Sequence, residues 1–231
     1  MSWQAKPNQG YTMYSSEGLQ NIEQIHYLLA AAGYTIEAQA GTVGNMVNES
    51  GLNPWRWESD TVNYSAGYGL FQYTEASDYF NLSYLPYFAP NTSTSSVVAG
   101  ALPSDGHCQM DVFTQDILGK WHDNPLYGWS DTDVYNIVSQ ACEDFGNGLP
   151  LPNGRITQAQ YSRITDVQAA AVVFLCCFER PSFTNLSNSW RSRVADANTA
   201  YAIIHTLPPG PTPIHQGKLP IWMMCKPYWK R

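Results

Sequence analysis

The chain has 231 residues, of which 44% are hydrophobic, and this is enough for one substantial domain. Its net charge is −7 and only 13% of its residues are charged, so it lacks the clustered Lys and Arg with which proteins neutralise nucleic-acid phosphates. The most apolar run, 169–178, is too short to cross a bilayer, and the first residues do not resemble a signal peptide. Neither nucleic acid nor a membrane is therefore expected as a partner.

Two helices are predicted near the N-terminus. Ser16 is the expected cap of a helix that runs to about Ala32. Thr35 is the expected cap of a second helix, whose apolar residues recur on one face at positions 36, 40, 43 and 47. Ser50-Gly51 supplies the stop signal for this second helix, since glycine adopts the left-handed conformation that commonly ends helices.

The segment from Leu52 to Tyr73 breaks this periodicity and predicts an irregular lobe with a short β-hairpin. Thr74 is then expected to cap a helix, with Glu75 and Asp78 in the first turn, where the helix dipole favours negative charge. Residues 91–105 are rich in Ser, Thr, Asn and Pro, which is typical of a surface loop.

Helical spacing returns in the second half of the chain. It predicts helices over 110–121, from Thr132 to about Phe145, over 166–178 as a buried central helix, and over 190–205. A proline-rich stretch follows. The sequence therefore predicts a mainly α domain over residues 1–206, with an irregular lobe, and a proline-rich C-terminal tail over residues 207–231.

The five cysteines do not predict a disulfide framework or a metal site. Their number is odd, their spacing is irregular, and Cys176 and Cys177 are adjacent within an apolar helical run. The five histidines do not combine with them at the spacing that metal ligands require. We expect no metal and no other cofactor.

The chemistry is concentrated between Asn45 and Thr74. Glu49 stands in the phrase Asn-Glu-Ser-Gly at the predicted end of the second helix. There the negative end of the helix dipole disfavours a second negative charge, and Trp55 and Trp57 would add desolvation if they folded back over it. Both effects favour the neutral carboxyl group that a general acid must present.

The same segment ends with Ala-Gly-Tyr-Gly-Leu-Phe-Gln, residues 66–72. Gly67 and Gly69 flank Tyr68 and predict a backbone bend that turns residues 70–72 towards a cleft. Gln72 would then be able to hydrogen-bond a substrate hydroxyl or N-acetyl group, with Tyr68 helping to position the substrate.

Glu-Ser-Gly-Leu-Asn-Pro together with Gly-Leu-Phe-Gln resembles the phage tail lysozyme family, within the wider lysozyme and lytic transglycosylase superfamily. Phe178-Glu179-Arg180-Pro181 is similar to a later phrase of that family, where it closes a long helix and precedes another that carries Arg, as Arg191 and Arg193 do here. We interpret Glu179 and Arg180 as a charge pair and cap at a helix end. The resemblance covers about residues 18–205 and implies a lysozyme-like α+β fold with Glu49 as the general acid.

A second carboxylate is harder to identify. Where animal-type lysozymes have an Asp before the Tyr-Gly that leads to the Gln, this chain has Gly67. Asp60 is the first candidate and Glu58 the second, since both lie between Glu49 and the glycines; Asp60 is equally typical of a turn. The aromatic candidates for the walls of the groove are Trp55, Trp57, Tyr64 and Tyr73, although any of them fits the core as well.

The resemblance implies a peptidoglycan glycosidase, specifically a muramidase that acts from a phage tail during infection. It implies residence in the virion, or in the host cytoplasm before release, and possible attachment to other tail proteins through the C-terminal tail. Two alternatives stay open. One is a lytic transglycosylase with Glu49 as its single catalytic carboxyl, and the other is an inactive virion protein that keeps the fold for structure or wall binding.

Overall fold

The computed structural model describes residues 2–125 and 131–211. This part of the chain is mainly helical, and its eight α-helices are α1 Ser16–Ala31, α2 Ile36–Ser50, α3 Ala76–Phe80, α4 Asp105–Thr114, α5 Thr132–Asp144, α6 Gln158–Tyr161, α7 Val167–Phe174 and α8 Phe183–Ile204. A 3₁₀ turn spans Glu58–Asp60, and a π-helical turn, Leu175–Glu179, continues α7. Within the described ranges, none of these helices has the length and apolarity needed to cross a membrane.

The ends of the first two helices follow from local sequence signals. The Thr35 hydroxyl accepts a hydrogen bond from the Ala38 N–H at the start of α2, and Gly51 ends that helix at φ 57°. Both predictions are confirmed. The cap of α1 was misplaced by one residue, because Ser15 rather than Ser16 accepts from the Gly18 N–H at 3.0 Å.

The predicted bounds of three other helices were wrong. Glu75, not Thr74, precedes α3, and no side chain caps that helix. The helix predicted over 110–121 begins at Asp105 and ends at Thr114. The last helix begins at Phe183 rather than at 190, with the Ser182 hydroxyl as its cap.

Helix α2 lies at the centre of the fold and packs most extensively against α8 and then α7. Two glycines permit this close approach. A Cβ atom on Gly41 would lie 2.6 Å from the carbonyl carbon of Ala170 on α7, and one on Gly44 would lie 2.6 Å from the Ala197 nitrogen on α8. The register of α2 is therefore fixed on two sides, and with it the position of Glu49 in its last turn.

The irregular lobe over residues 52–73 contains little regular pairing. A single antiparallel bridge joins Trp57 to Tyr68, so the predicted hairpin is reduced to one bridge in the described chain. The lobe is held by α4 instead. The Gln109 side chain accepts from the Leu70 N–H at 2.6 Å and donates to the Pro54 carbonyl at 2.7 Å.

Asp105 is the second anchor of the lobe on α4, and it is completely buried. Its carboxylate accepts hydrogen bonds from the Tyr79 hydroxyl (2.8 Å), the Tyr68 hydroxyl (3.2 Å), the Ala89 N–H (3.0 Å) and the Gln109 amide (2.7 Å). Burial raises the pKa of Asp105 to about 6, although the hydrogen bonds oppose this effect.

This raised pKa predicts a specific dependence of stability on pH. A carboxyl that binds its proton more tightly in the folded state contributes stability that is complete below its unfolded pKa, near 4, and is lost as pH rises through about 6. The unfolding free energy of the wild type, minus that of Asp105→Asn, should therefore fall by roughly 2–3 kcal/mol between pH 4 and pH 7. Denaturant titrations of both proteins measure this, and a difference that is flat over that range would contradict the prediction.

After α8 the chain returns to α1. The Pro208 carbonyl accepts from His26 Nε2 at 3.1 Å, and Gly210 lies against Ala30. The predicted proline-rich tail begins in this segment, but its residues 212–231 lie outside the described part of the chain.

Candidate active site

A cleft of about 650 Å³ opens between the α2–α8 pair and the irregular lobe. Its lining combines carboxylates, cations, amides and hydroxyls with a few aromatic edges. The residues that line it are Asn48, Glu49, Arg56, Trp57, Glu58, Ser59, Phe71, Gln72, Tyr73, Thr74, Lys120, Phe178, Glu179, Pro181, Asn185, Asn188, Ser189, Ser192 and Arg193.

Glu49 lies in the last turn of α2, and its side chain is 19% exposed. Its Oε1 accepts a hydrogen bond from the Arg193 guanidinium on α8. The carboxyl group is thus partly withdrawn from water and held by a cation, while it remains accessible from the cleft. Glu49, the predicted general acid, thus lines the cleft, and its catalytic role stays a prediction.

Arg193 is fixed by α2 as well as by Glu49. Its Nη1 donates to the Asn45 side-chain oxygen at 3.1 Å and to the Asn45 carbonyl at 3.4 Å. Asn45 in turn donates to the Ala171 carbonyl on α7 at 3.0 Å. One buried amide therefore joins α2, α7 and α8 directly behind the carboxyl of Glu49.

Glu179 ends the π-helical turn after α7 and lines the same cleft. Its Oε1 is buried and has no hydrogen-bond partner among the described residues. Burial raises the pKa of Glu179 well above its usual range, the charge of Glu49 raises it further, and Arg193 lowers it. Our interpretation of Glu179 as part of a helix-end charge pair missed this position beside Glu49, although Arg180 does end the turn at φ 49°.

The two candidates for the second carboxylate, Asp60 and Glu58, differ in their position relative to the cleft. Asp60 is exposed, forms an ion pair with Arg56 at 2.9 Å, and lies outside the lining of the cleft. Glu58 does line the cleft, and its Oε2 accepts from the Gly67 N–H at 2.7 Å. Glu179, in the extension of α7, is the carboxyl group whose pKa the charge of Glu49 raises.

Most of the predicted aromatic wall belongs to the core. Trp55 and Tyr68 are buried and do not line the cleft, whereas Trp57 and Tyr73 line it but are themselves almost fully buried. Trp57 donates to the Asn91 carbonyl at 2.9 Å and packs against Tyr68, so its indole ring is held within the lobe. Tyr64 is 44% exposed, but it also lies outside the lining.

The glycine phrase makes the predicted bend. Gly69 has φ 82°, and a Cβ there would lie 2.3 Å from Oε1 of Gln109. Gln72 lines the cleft, and its amide nitrogen donates to the Gly69 carbonyl at 2.9 Å and to the Arg56 carbonyl at 3.1 Å. These bonds fix the side chain and leave its oxygen as the group that a ligand can approach.

A polar stripe on α8 forms the wall opposite the lobe. Asn185, Asn188, Ser189 and Ser192 recur at helical spacing and all line the cleft. Ser189 and Ser192 donate within α8 or towards Asn48, whereas both asparagines are exposed. Amides and hydroxyls of this kind suit the hydroxyl and N-acetyl groups of sugars.

Comparison with known proteins identifies the family. The family model for phage tail lysozymes matches residues 20–204. The chain belongs to the phage tail lysozyme family. It is also 42% identical over 62 residues to morphogenesis protein 1 of Bacillus phage B103, a match that covers 26% of this chain and only 17% of that protein's length.

The region that matches the family contains the whole lining of the cleft, from Asn48 to Arg193. In this phage tail lysozyme, sequence reasoning had missed three parts of the site. The sequence carried a signal for each of them. Asp105 and Gln109 are polar residues on the apolar face of α4, Glu179 follows a continuous apolar run, and the polar stripe recurs every three or four residues before Arg193.

Proposed function

We propose that this phage tail lysozyme is a glycosidase that cleaves the glycan strands of bacterial peptidoglycan, as a muramidase, with Glu49 as its general acid. The observation that supports this best is the position of Glu49, half-buried at an open cleft of about 650 Å³ whose walls carry amides and hydroxyls. A cleft of this size suits several sugar rings, and it brings a carboxyl group to a bond in the middle of a bound chain.

Cleavage of a glycosidic bond requires a proton on the leaving oxygen while positive charge develops on the sugar ring. Glu49 would donate that proton. The developing positive charge would be stabilised by the carboxylate of Glu58, which lines the lobe side of the cleft. Glu58, the second candidate for this carboxylate, is preferred here to Asp60, because Asp60 forms an ion pair with Arg56 outside the lining.

The glycan would be held from two sides. Gln72 presents its side-chain oxygen from the lobe, while Asn185 and Asn188 present amides from α8. Tyr68 would act only indirectly, by supporting the glycine bend from the core, since its hydroxyl is bound to Asp105. The charges of peptidoglycan lie on the peptides attached to its lactyl groups, and the cations Arg56 and Lys120 in the cleft lining would attract their carboxylates.

A lytic transglycosylase is the second candidate, and one observation favours it. The carboxylate that we ranked first as partner, Asp60, does not face Glu49 across the cleft. In a transglycosylase the 6-hydroxyl of the substrate attacks, and Glu49 alone would act first as acid and then as base. An inactive protein that only binds the wall would not need the ion pair between Arg193 and Glu49. It would also not need the second carboxyl group, that of Glu179, beside this pair.

The place of action is also a proposal. The family and the likeness to a phage morphogenesis protein support a role in the phage particle, where the enzyme would open the wall locally during infection. Attachment to other tail proteins through residues 207–231 would fit that role.

Digestion of purified peptidoglycan with the wild-type protein, followed by mass spectrometry of the soluble fragments, tests the proposal. A muramidase yields fragments with reducing N-acetylmuramic acid ends. Anhydro-muramic ends would identify a transglycosylase instead, and reducing N-acetylglucosamine ends a glucosaminidase. If no fragments appear and the protein is folded, the glycosidase proposal is wrong and the binding-protein alternative stands.

A further inference from the structure

One carboxyl oxygen of Glu179 is buried in a way that the fold does not explain. Glu179 ends the π-helical turn 175–179, its Oε1 is buried, and the described residues offer that atom no hydrogen bond. Negative charge on this oxygen is costly, because the atom has lost its water and gained no donor. A protonated carboxyl costs much less. π-helical turns of this kind often occur at functional sites.

The cluster formed by Glu179, Glu49 and Arg193 has a net negative charge when both carboxyl groups are ionised. The guanidinium of Arg193 lies with Glu49, to which its Nη2 donates, and with Asn45. Glu179 interacts with both Glu49 and Arg193. Two carboxyl groups thus share one cation, and one proton on the pair makes the cluster neutral.

Before a substrate binds, the single proton of the two carboxyl groups resides on Glu179, for two reasons. Burial, followed by the charge of Glu49, raises the pKa of Glu179 well above its usual range. Glu49 has the direct hydrogen bond to the guanidinium, and such a charge-assisted bond stabilises the ionised form of a carboxyl.

The other charged groups of the cleft have partners of their own. Arg56 pairs with Asp60 and Lys120 with Asp78, while Glu58 accepts from a backbone N–H. On α8, Asp196 accepts from the Asn48 amide, and Arg193 lowers its pKa although burial raises it overall.

Two more groups lie near Glu179. Tyr73 lies below it with its hydroxyl bonded to the Gln109 carbonyl, and burial, aided by Cys108 and Glu179, keeps the pKa of Tyr73 well above its usual value. Arg180 follows Glu179 in the chain and ends the π-helical turn.

We propose that Glu179 is a positioning residue that stores, at neutral pH, the proton that Glu49 gives to the glycosidic oxygen. This role rests on the proposed function of Glu49. As a glycan enters, the proton passes from Glu179 to Glu49, and the new carboxylate of Glu179 takes over the guanidinium of Arg193. Glu49 then protonates the leaving oxygen, which keeps the electron pair of the broken C–O bond. Glu49 recovers a proton from the attacking water, or from the attacking 6-hydroxyl in a transglycosylase, and returns it to Glu179.

The pH dependence of cleavage by Glu179→Gln tests this role. The substitution keeps the shape of the side chain but removes the group that stores the proton, so Glu49 has no stored proton to receive at neutral pH. We expect the alkaline limb of the rate profile to move down by about one pH unit or more, with a loss of about tenfold at pH 7 and a rate near that of the wild type at pH 5. Glu143→Gln, which removes an exposed acid on α5, should leave the profile unchanged.

Two results would overturn the proposal: an unchanged alkaline limb, or an equal loss of rate at every pH. The second is what a merely structural role would produce. Thermal unfolding of Glu179→Gln shows whether the variant is folded, and Glu179→Asp, which keeps a titratable group, should restore part of the rate at pH 7.

A readout that does not depend on activity separates this proposal from the proposed function. In wild-type protein labelled with ¹³C at the glutamate side-chain carboxyls, one resonance, assigned by its absence in Glu179→Gln, should titrate with a midpoint well above that of an ordinary Glu, about 4.3. In Glu49→Gln this midpoint should fall, because the neighbouring negative charge is gone. An ordinary midpoint in the wild type would contradict the stored proton even if peptidoglycan is cleaved, and a raised one would support it even if cleavage failed.

Discussion

Glu49→Gln is expected to lower the rate of peptidoglycan cleavage by about 10³-fold without unfolding the protein. A positioned general acid contributes roughly 10²–10⁴-fold to a rate, and a side-chain amide has no proton of suitable acidity to donate. The oxygen of that amide can still accept from Arg193, so the contact between α2 and α8 should survive. The initial rate at which soluble fragments are released from purified peptidoglycan measures the effect.

The matched control is Glu143→Gln, which makes the same chemical change at an exposed position of α5, outside the cleft lining. This variant should cleave at the wild-type rate. If Glu49→Gln kept a tenth or more of the wild-type rate while circular dichroism showed an intact fold, Glu49 would not be the general acid.

The second large effect is expected from Gly44→Ala. The new Cβ would lie 2.6 Å from the Ala197 nitrogen and 2.7 Å from the Arg193 carbonyl oxygen, both of which are backbone atoms of α8. Since backbone cannot rotate away, α8 must shift. The added methyl group should lower the free energy of unfolding by about 2 kcal/mol, after the better helix propensity of Ala is taken into account. Because Arg193 moves with α8, cleavage should also fall by about tenfold or more.

Denaturant unfolding and the cleavage assay on the same sample measure both effects. Ala195→Ser is a suitable control, because it adds one atom to α8 in the same turn, away from the contact with Gly44, and should change the unfolding free energy by less than about 0.5 kcal/mol. A Gly44→Ala protein as stable and active as the wild type would show that α2 and α8 do not need this close contact.

Local signals explain what the sequence predicted well. Thr35 and Gly51 bracket α2 because a hydroxyl cap and a left-handed glycine act within a few residues. The same locality placed Glu49 at the end of its helix. The start of α8 was missed because five of the six residues 184–189 are polar. Several of them line the cleft, whereas Leu186 is buried.

The rest of the site depends on contacts between distant residues. Glu179 and Arg193 reach Glu49 only because α2 packs against α7 and α8 through Gly41 and Gly44. The apolar run before Glu179 predicts a buried helix, but it does not predict that approach. Asp60 looked suitable by spacing, but a neighbour four residues away, Arg56, takes its carboxylate.

The sequence alone also did not show which aromatic residues lie in the core. Trp55, Trp57 and Tyr68 have the composition of a sugar-binding wall, and only the folded chain shows that they are buried in the core. Composition describes which groups are available to a site. Burial decides which of them a substrate can touch.

The most direct test of the account is a crystal structure of Glu49→Gln with a bound peptidoglycan oligosaccharide. The account predicts a glycan across the cleft, with one glycosidic oxygen about 3 Å from the side-chain amide of residue 49 and N-acetyl groups against Asn185 and Asn188. A glycan bound elsewhere on the protein, or a chain in this cleft with no glycosidic oxygen near residue 49, would contradict it.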